Sequence, residues 1–144
     1  MPTKTFEHYR TVTADEIDEQ GRVNNVVYVA WMQDAAVAHS ATLGWTAQRY
    51  ERLGAGWVAR SHYIEYLRPA LAGDEIVVET QVAEMKKVTS RRVYRIRRRS
   101  DGALLAKAET HWAFVAYATG KPTRIPPEVS AAYLAASAHA SDAA

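Results

Sequence analysis

Residues 26–43, VVYVAWMQDAAVAHSATL, constrain the fold more than any other stretch. They are apolar on most faces of a helix, interrupted only by Gln33, Asp34 and His39, and Gly44 follows as a C-terminal stop. Such a helix cannot rest on a surface with a single stripe turned inward; other structure has to wrap it. The wrapping material is β-rich. TFEHYRTVT at 5–13 alternates well enough for a first strand, and WVARSHYIEYL, DEIVVETQVAEMK, TSRRVYRIRRR and ALLAKAETHWAFVAY follow, separated by RPALAG, VT and SDG turn signals. A second short helix is predicted at 46–53. The last three β-rich runs are close enough in sequence for a meander of antiparallel hairpins. Pro122, Pro126 and Pro127 end the final strand, and the alanine-rich segment from Glu128 is expected to form a short helix and then fray.

One strand, one buried helix and a run of long strands make an α+β pattern in which a curved antiparallel β-sheet wraps around a long central helix, the hotdog fold. With 144 residues, 48% of them hydrophobic, the chain has material for one core. We expect one domain over 1–144, with 128–144 peripheral. A single copy leaves a sheet edge and part of the helix uncovered, so a homodimer or homotetramer is expected.

Composition narrows the chemistry. The absence of cysteine removes disulfides, thiolate nucleophiles and cysteine-type zinc sites, leaving oxygen and imidazole chemistry. Formal charge is only +2, although residues 86–107 hold nine of the eighteen basic side chains, so any basic function is local and nucleic acid is not the expected partner. MPTKTFEHYR has no apolar leader core and the longest apolar segment is interrupted, which points to a cytoplasmic protein without a membrane partner. His8, His39, His111 and His139 show no metal-ligand spacing.

The loop before the helix, DEIDEQGRVNN at 15–25, packs acid, turn and amide together. Asn24 and Asn25 stand where an N-cap belongs and can accept from first-turn amides. Capping uses only some of those amides. The rest, aided by the positive end of the helix dipole, form a site for developing negative charge, such as the oxyanion of an attacked carbonyl. Asp18 precedes Asn25 by seven residues, across a turn at Gly21 that can fold its carboxylate back toward the helix start. The competing reading is a turn aspartate bonded to its own backbone.

These residues carry a resemblance. D18-E-Q-G21-R-V-N24-N25-V-V-Y28-V-A-W31 resembles the signature D-x-x-G-H-V-N-N-x-x-Y of the 4-hydroxybenzoyl-CoA thioesterase and acyl-CoA thioesterase superfamily, and IEYLRPALAGDEIVVET and YATGKPTRIP extend the similarity over about residues 6–127. The resemblance implies hydrolysis of an acyl thioester on CoA or acyl carrier protein, without metal or redox cofactor. It implies Asp18 as the catalytic carboxylate, nucleophile or general base, and the Asn25 backbone N–H as an oxyanion donor. Tyr28 falls on the signature's tyrosine and, with Arg22, is expected to touch substrate. Arg22 departs from the pattern, since the family often has histidine there, and Gln20 departs from related plant thioesterases. A guanidinium keeps its proton and cannot serve as a base, but it can hold a carboxylate or a phosphate. A non-catalytic acyl-CoA-binding or scaffold protein of the same fold is the alternative. A dehydratase would need D-x-N-x-x-x-x-H, and here the third and eighth positions are Gln20 and Asn25.

Other candidates stand outside the loop. Asp34, inside the helix, is the alternative catalytic carboxylate if it faces the cleft; otherwise it is a paired surface acid. Arg60 and His62 are expected on one strand face with Val58, Ile64 and Tyr66, where His62 orients water or substrate or is a hydrogen-bonded core histidine. Arg91 and Arg92 belong to a run with Arg95, Arg97, Arg98 and Arg99 that is read either as a solvated face or as a receptor for CoA phosphates. In that run Arg92 and Arg98 share the face of Tyr94 and Ile96.

Overall fold

The computed structural model describes residues 4–143, with side chains from 4 to 135. Its elements are β1 Phe6–Thr11, a short 3-10 turn at Ala14–Glu16, α1 Asn25–Thr42, α2 Ala47–Leu53, β2 Ala55–Tyr66, β3 Glu75–Met85, β4 Thr89–Arg98, β5 Leu104–Ala116 and α3 Pro127–Ala143. The strands form one antiparallel sheet in the order β1-β3-β4-β5-β2, with α1 against one face. This is the expected curved sheet around a long helix, and the apolar helix is why it forms. Tyr28, Trp31, Met32 and Ala35 bury against Ile76, Val78, Ile96 and Ala106.

A second cluster gathers Trp45, Tyr50, Phe114, Ile125, Val129 and Tyr133 at the C-terminal end of α1. It includes the first turns of α3, where Val129 and Tyr133, one helical turn apart, are both buried, while the side chains of the expected peripheral tail beyond 135 lie outside the described residues.

Two corrections concern strand faces. A bulge between Ala59 and Ser61 leaves Arg60 without a partner in β5, so the alternation shifts: Val58 pairs with Ala113, whereas His62, Ile64 and Tyr66 pair with Thr110, Ala108 and Ala106. Val58 therefore does not share a face with His62. On β4 the alternation holds, and Arg92 is buried between Ser90 and Tyr94, facing α1, rather than open to a phosphate.

Burial of α1 is incomplete on one side. Val26 and Val37 stay 74% and 63% exposed. β2 is an edge strand of 12 residues, exposed from Val58 to Tyr63, with nothing described on its outer side. No described helix is long and apolar enough to cross a membrane.

Candidate active site at the start of α1

The loop into α1 is built almost wholly from its own backbone. Ile17 bridges to Val23, the Asp18 N–H donates to the Arg22 carbonyl at 2.8 Å, and the Gly21 N–H donates back to the Asp18 carbonyl at 3.0 Å. Gly21 has φ of 80°, a left-handed conformation that glycine adopts without steric cost. Asp18 Oδ1 accepts from the Gln20 N–H at 2.9 Å, so the turn-aspartate reading is realised. That bond also fixes the carboxylate while leaving the residue only partly buried. Two bonds pin the loop to the body: Asn24 N–H to the Glu16 carbonyl and Val23 N–H to the Ala70 carbonyl, each 2.9 Å.

Asn24 is the N-cap, its Oδ1 accepting from the Val26 N–H at 3.0 Å, while the Val27 N–H donates to the Asn24 carbonyl at 2.9 Å. The Asn25 N–H, first of the helix, has no acceptor among the described residues. A partly exposed carboxylate and an unused amide at the positive end of an 18-residue helix thus stand on the same short loop. Tyr66, which sequence reasoning did not single out, donates its hydroxyl to the Asn25 carbonyl at 3.2 Å and so fixes the peptide next to that amide.

The other expected residues divide. Arg22 is exposed on the loop, and Arg60 is exposed at the β2 bulge. Tyr28, expected to touch substrate, is instead 2% exposed, because its ring packs 5.0 Å from Trp31 and edge-on to Tyr66 at 5.1 Å; it supports the site from behind. Asp34 pairs with Arg10 of β1 at 3.0 Å. The same arginine contacts Glu16 at 3.3 Å and lies over Trp31, so Asp34 belongs to the β1 side of α1. His62 Nδ1 is 2.8 Å from the hydroxyl of buried Thr110. Arg91 is already matched by Glu109 at 3.3 Å and Glu84 at 3.7 Å, and Arg97 by Glu79 at 2.8 Å, which favours the solvated-face reading of that side of β4. No described cluster of three His, Asp or Glu side chains could hold a metal ion.

Beyond the far end of the buried helix face lies a cavity of about 500 Å³. Its walls include Val37, Trp57, Val82, Met85, Trp112 and Tyr133, with Arg92 among them. Tyr50 braces it, its hydroxyl 3.1 Å from both Ser40 Oγ and Trp57 Nε1, and burial pushes that phenol's pKa upward. A Cβ on Gly56 would collide with the Tyr117 hydroxyl, so glycine there lets Tyr117 close this end. Sequence reading missed the cavity because residues from all three helices and from β2 to β5 build it. The signal present was the inward parity of Arg92, paired with a histidine on the buried helix face.

Comparison with known proteins agrees with this architecture. The sequence pattern of the thioesterase-like superfamily matches residues 12–133. The acyl-CoA thioesterase YbgC of Haemophilus influenzae is 30% identical over 120 residues, which is 83% of this chain and 87% of the relative. A crystal structure of a hypothetical protein from Aquifex aeolicus superposes with a TM-score of 0.83 at 26% identity, covering 89% of this chain and 98% of the other. The Staphylococcus aureus protein SAV2348, solved in complex with CoA, shares the fold with a TM-score of 0.87 at 18% identity, over 96% of this chain and 87% of that one. With its hotdog architecture and a family match over most of its length, the chain belongs to the thioesterase-like superfamily.

Proposed function

We propose that this protein hydrolyses acyl-CoA thioesters, with Asp18 as the catalytic carboxylate and the Asn25 N–H as an oxyanion donor. The observation that carries the reading is the unused Asn25 amide at the start of α1, on the loop that holds the Asp18 carboxylate in place. Acting as a base, Asp18 takes a proton from water as the oxygen attacks the acyl carbon. The amide receives the negative charge, the C–S bond breaks, and the proton passes to the leaving thiolate. Acting as a nucleophile, the carboxylate attacks the acyl carbon and expels the CoA thiolate, leaving a mixed anhydride that water opens to the free acid and the regenerated carboxylate. Arg22 and Arg60, both exposed, are the candidates to meet CoA phosphates. A substrate-bearing carrier protein would present the same thioester to the same loop.

The site is completed by a second copy. α1 is about 27 Å long, so its N-terminus is remote from the cavity on the same chain. β2 runs beside it, with Tyr66 near the α1 start and Trp57 at the cavity. Two copies joined antiparallel through the free β2 edge bring the Tyr66 end of one beside the Trp57 end of the other. Each catalytic loop then faces its neighbour's cavity, which takes the acyl group. Partly exposed Val58 and Tyr63 would be covered by this pairing.

The test is a panel of acyl-CoAs assayed for free thiol, with sedimentation at low micromolar concentration alongside. Turnover above the spontaneous rate by a dimer or larger species is expected. A folded monomer would contradict the shared site, and a dimer inert on every thioester would contradict the activity.

A further inference from the structure

Arg92 is a buried cation without a counter-ion among the described residues. It is 4% exposed, and no carboxylate lies within ion-pair distance among the described residues. Arg10, Arg91, Arg97, Arg98 and Arg99, all more exposed, each have one. The Arg92 contacts are neutral: Nη1 lies 3.0 Å from His39 Nδ1 and 3.2 Å from Thr80 Oγ1. A guanidinium only donates, so His39 Nδ1 is the acceptor and the ring carries its proton on Nε2. Burial and the neighbouring Arg92 charge pull the His39 pKa down to about 4, so the ring supplies no negative charge and adds no second positive one at neutral pH.

The two N–H groups of Nη1 are used, while Nε and Nη2 have no acceptor among the described residues. Their N–H groups form one side of the fork that engages a carboxylate with two parallel hydrogen bonds. Arg92 forms part of the wall of the cavity at the end of α1, which is otherwise lined largely by aromatic and aliphatic side chains; its other polar members are Ser40, Gln48, Ser90 and Glu51, an exposed carboxylate that is not within ion-pair distance of Arg92. An acyl group that is apolar throughout would bury this charge further without bringing a counter-charge into contact with it.

We propose that Arg92 is a specificity-determining residue that selects acyl groups with an apolar body and a terminal carboxylate, that is, thioesters of dicarboxylic acids. The inference rests on the reading of the cavity as the acyl pocket of a thioesterase. A carboxylate entering against Nε and Nη2 completes the Arg92 fork without displacing His39 or Thr80. A methyl-ended chain of equal length meets the same walls but leaves the fork empty.

The experiment compares adipoyl-CoA with hexanoyl-CoA, and suberoyl-CoA with octanoyl-CoA, on the wild type, Arg92→Met and Arg92→Lys. The wild type is expected to favour the carboxylate-ended member by about tenfold or more in kcat/KM, since a charge-assisted bidentate bond exceeds one decade. Arg92→Met should lose that preference through the carboxylate-ended substrate alone. Arg92→Lys, which keeps the charge without the fork, should fall between and covers the case in which the methionine variant does not fold. Equal or reversed wild-type preference with normal turnover overturns the proposal and leaves the thioesterase reading intact. Parallel losses on both members in both variants overturn it too. If neither class is hydrolysed, calorimetric affinities of the same pairs decide: tighter wild-type binding of the carboxylate-ended member, lost in the variants, supports the pocket, and equal binding refutes it.

Discussion

The two ends of α1 are organised in opposite ways. At the N-terminal end, residues 16–27 are held mostly by backbone bonds of short sequence separation, with Val23 to Ala70 and Tyr66 to Asn25 as the long-range ones, and the Asp18 carboxylate accepts from the Gln20 N–H, two residues away. At the C-terminal end, Arg92 meets His39 across 53 positions and Thr80 across 12, and the cavity wall draws on all three helices, on β2 to β5 and on two connections. The first arrangement presents unused polar groups at a surface. The second encloses a charge in an aromatic setting. A reaction centre and a selective pocket need these respective properties, because one has to admit water and the other has to exclude it.

If chemistry belongs to the N-terminal end, Asp18→Asn should lower turnover by about 10²-fold or more, since general-base assistance is commonly worth that much. Folding should survive, because asparagine accepts from the Gln20 N–H in the same turn. Activity within a few-fold of the parent would reduce Asp18 to a turn residue.

The buried end should reveal itself in stability. The folded protein keeps His39 neutral down to about pH 4, while the unfolded chain protonates it near its ordinary 6.5. Between those values the unfolded state binds the extra proton, so stability is full above the higher value and is lost as pH falls toward the lower. The loss should be at most about 3 kcal/mol. His39→Gln keeps an acceptor for Arg92 without titrating and should flatten this slope, as read by urea unfolding at fixed protein concentration at pH 7.5 and 5. An unchanged slope would show that other groups govern it.

Tyr66→Phe removes the hydroxyl that steadies the Asn25 peptide. A neutral hydrogen bond of this kind is worth about 1 kcal/mol, so kcat should fall by roughly five-fold with little change in KM. The smallest effect is expected from Asp34→Asn: an exposed pair with Arg10 contributes about 0–1 kcal/mol, and turnover should stay near the parent's. Loss of activity there, with Asp18→Asn active, would move the chemistry to the middle of α1.

The same contrast explains what the sequence could reveal. The helix, the strands and the loop were legible because periodicity, Gly21 and the Asn24 cap act over a few residues. Asp34 was open to two readings until β1 placed Arg10 beside it. The face of Arg60 was misjudged because a bulge carries no strong signature in a strand of ordinary composition, and one inserted residue shifts every face after it. Arg92 was read as part of a basic run because Arg91 precedes it and Arg95 follows three positions on. Its neighbours in space are His39 and Thr80, contributed by α1 and β3. The alanine-rich tail likewise concealed Val129 and Tyr133, whose burial depends on Phe114 and Tyr50.

The central claim is that the start of α1 on one copy works with the cavity at the end of α1 on another. Subunit mixing tests it directly. Asp18→Asn removes the carboxylate, and Ala47→Trp places a bulky ring from an exposed position on the cavity wall. Each homodimer should be nearly inactive. A purified heterodimer of the two, co-expressed with different tags, contains one site with both defects and one with neither, so it should recover about half of the wild-type thiol release. A heterodimer as inactive as its parents would show that loop and cavity act within a single chain, and would contradict the shared site.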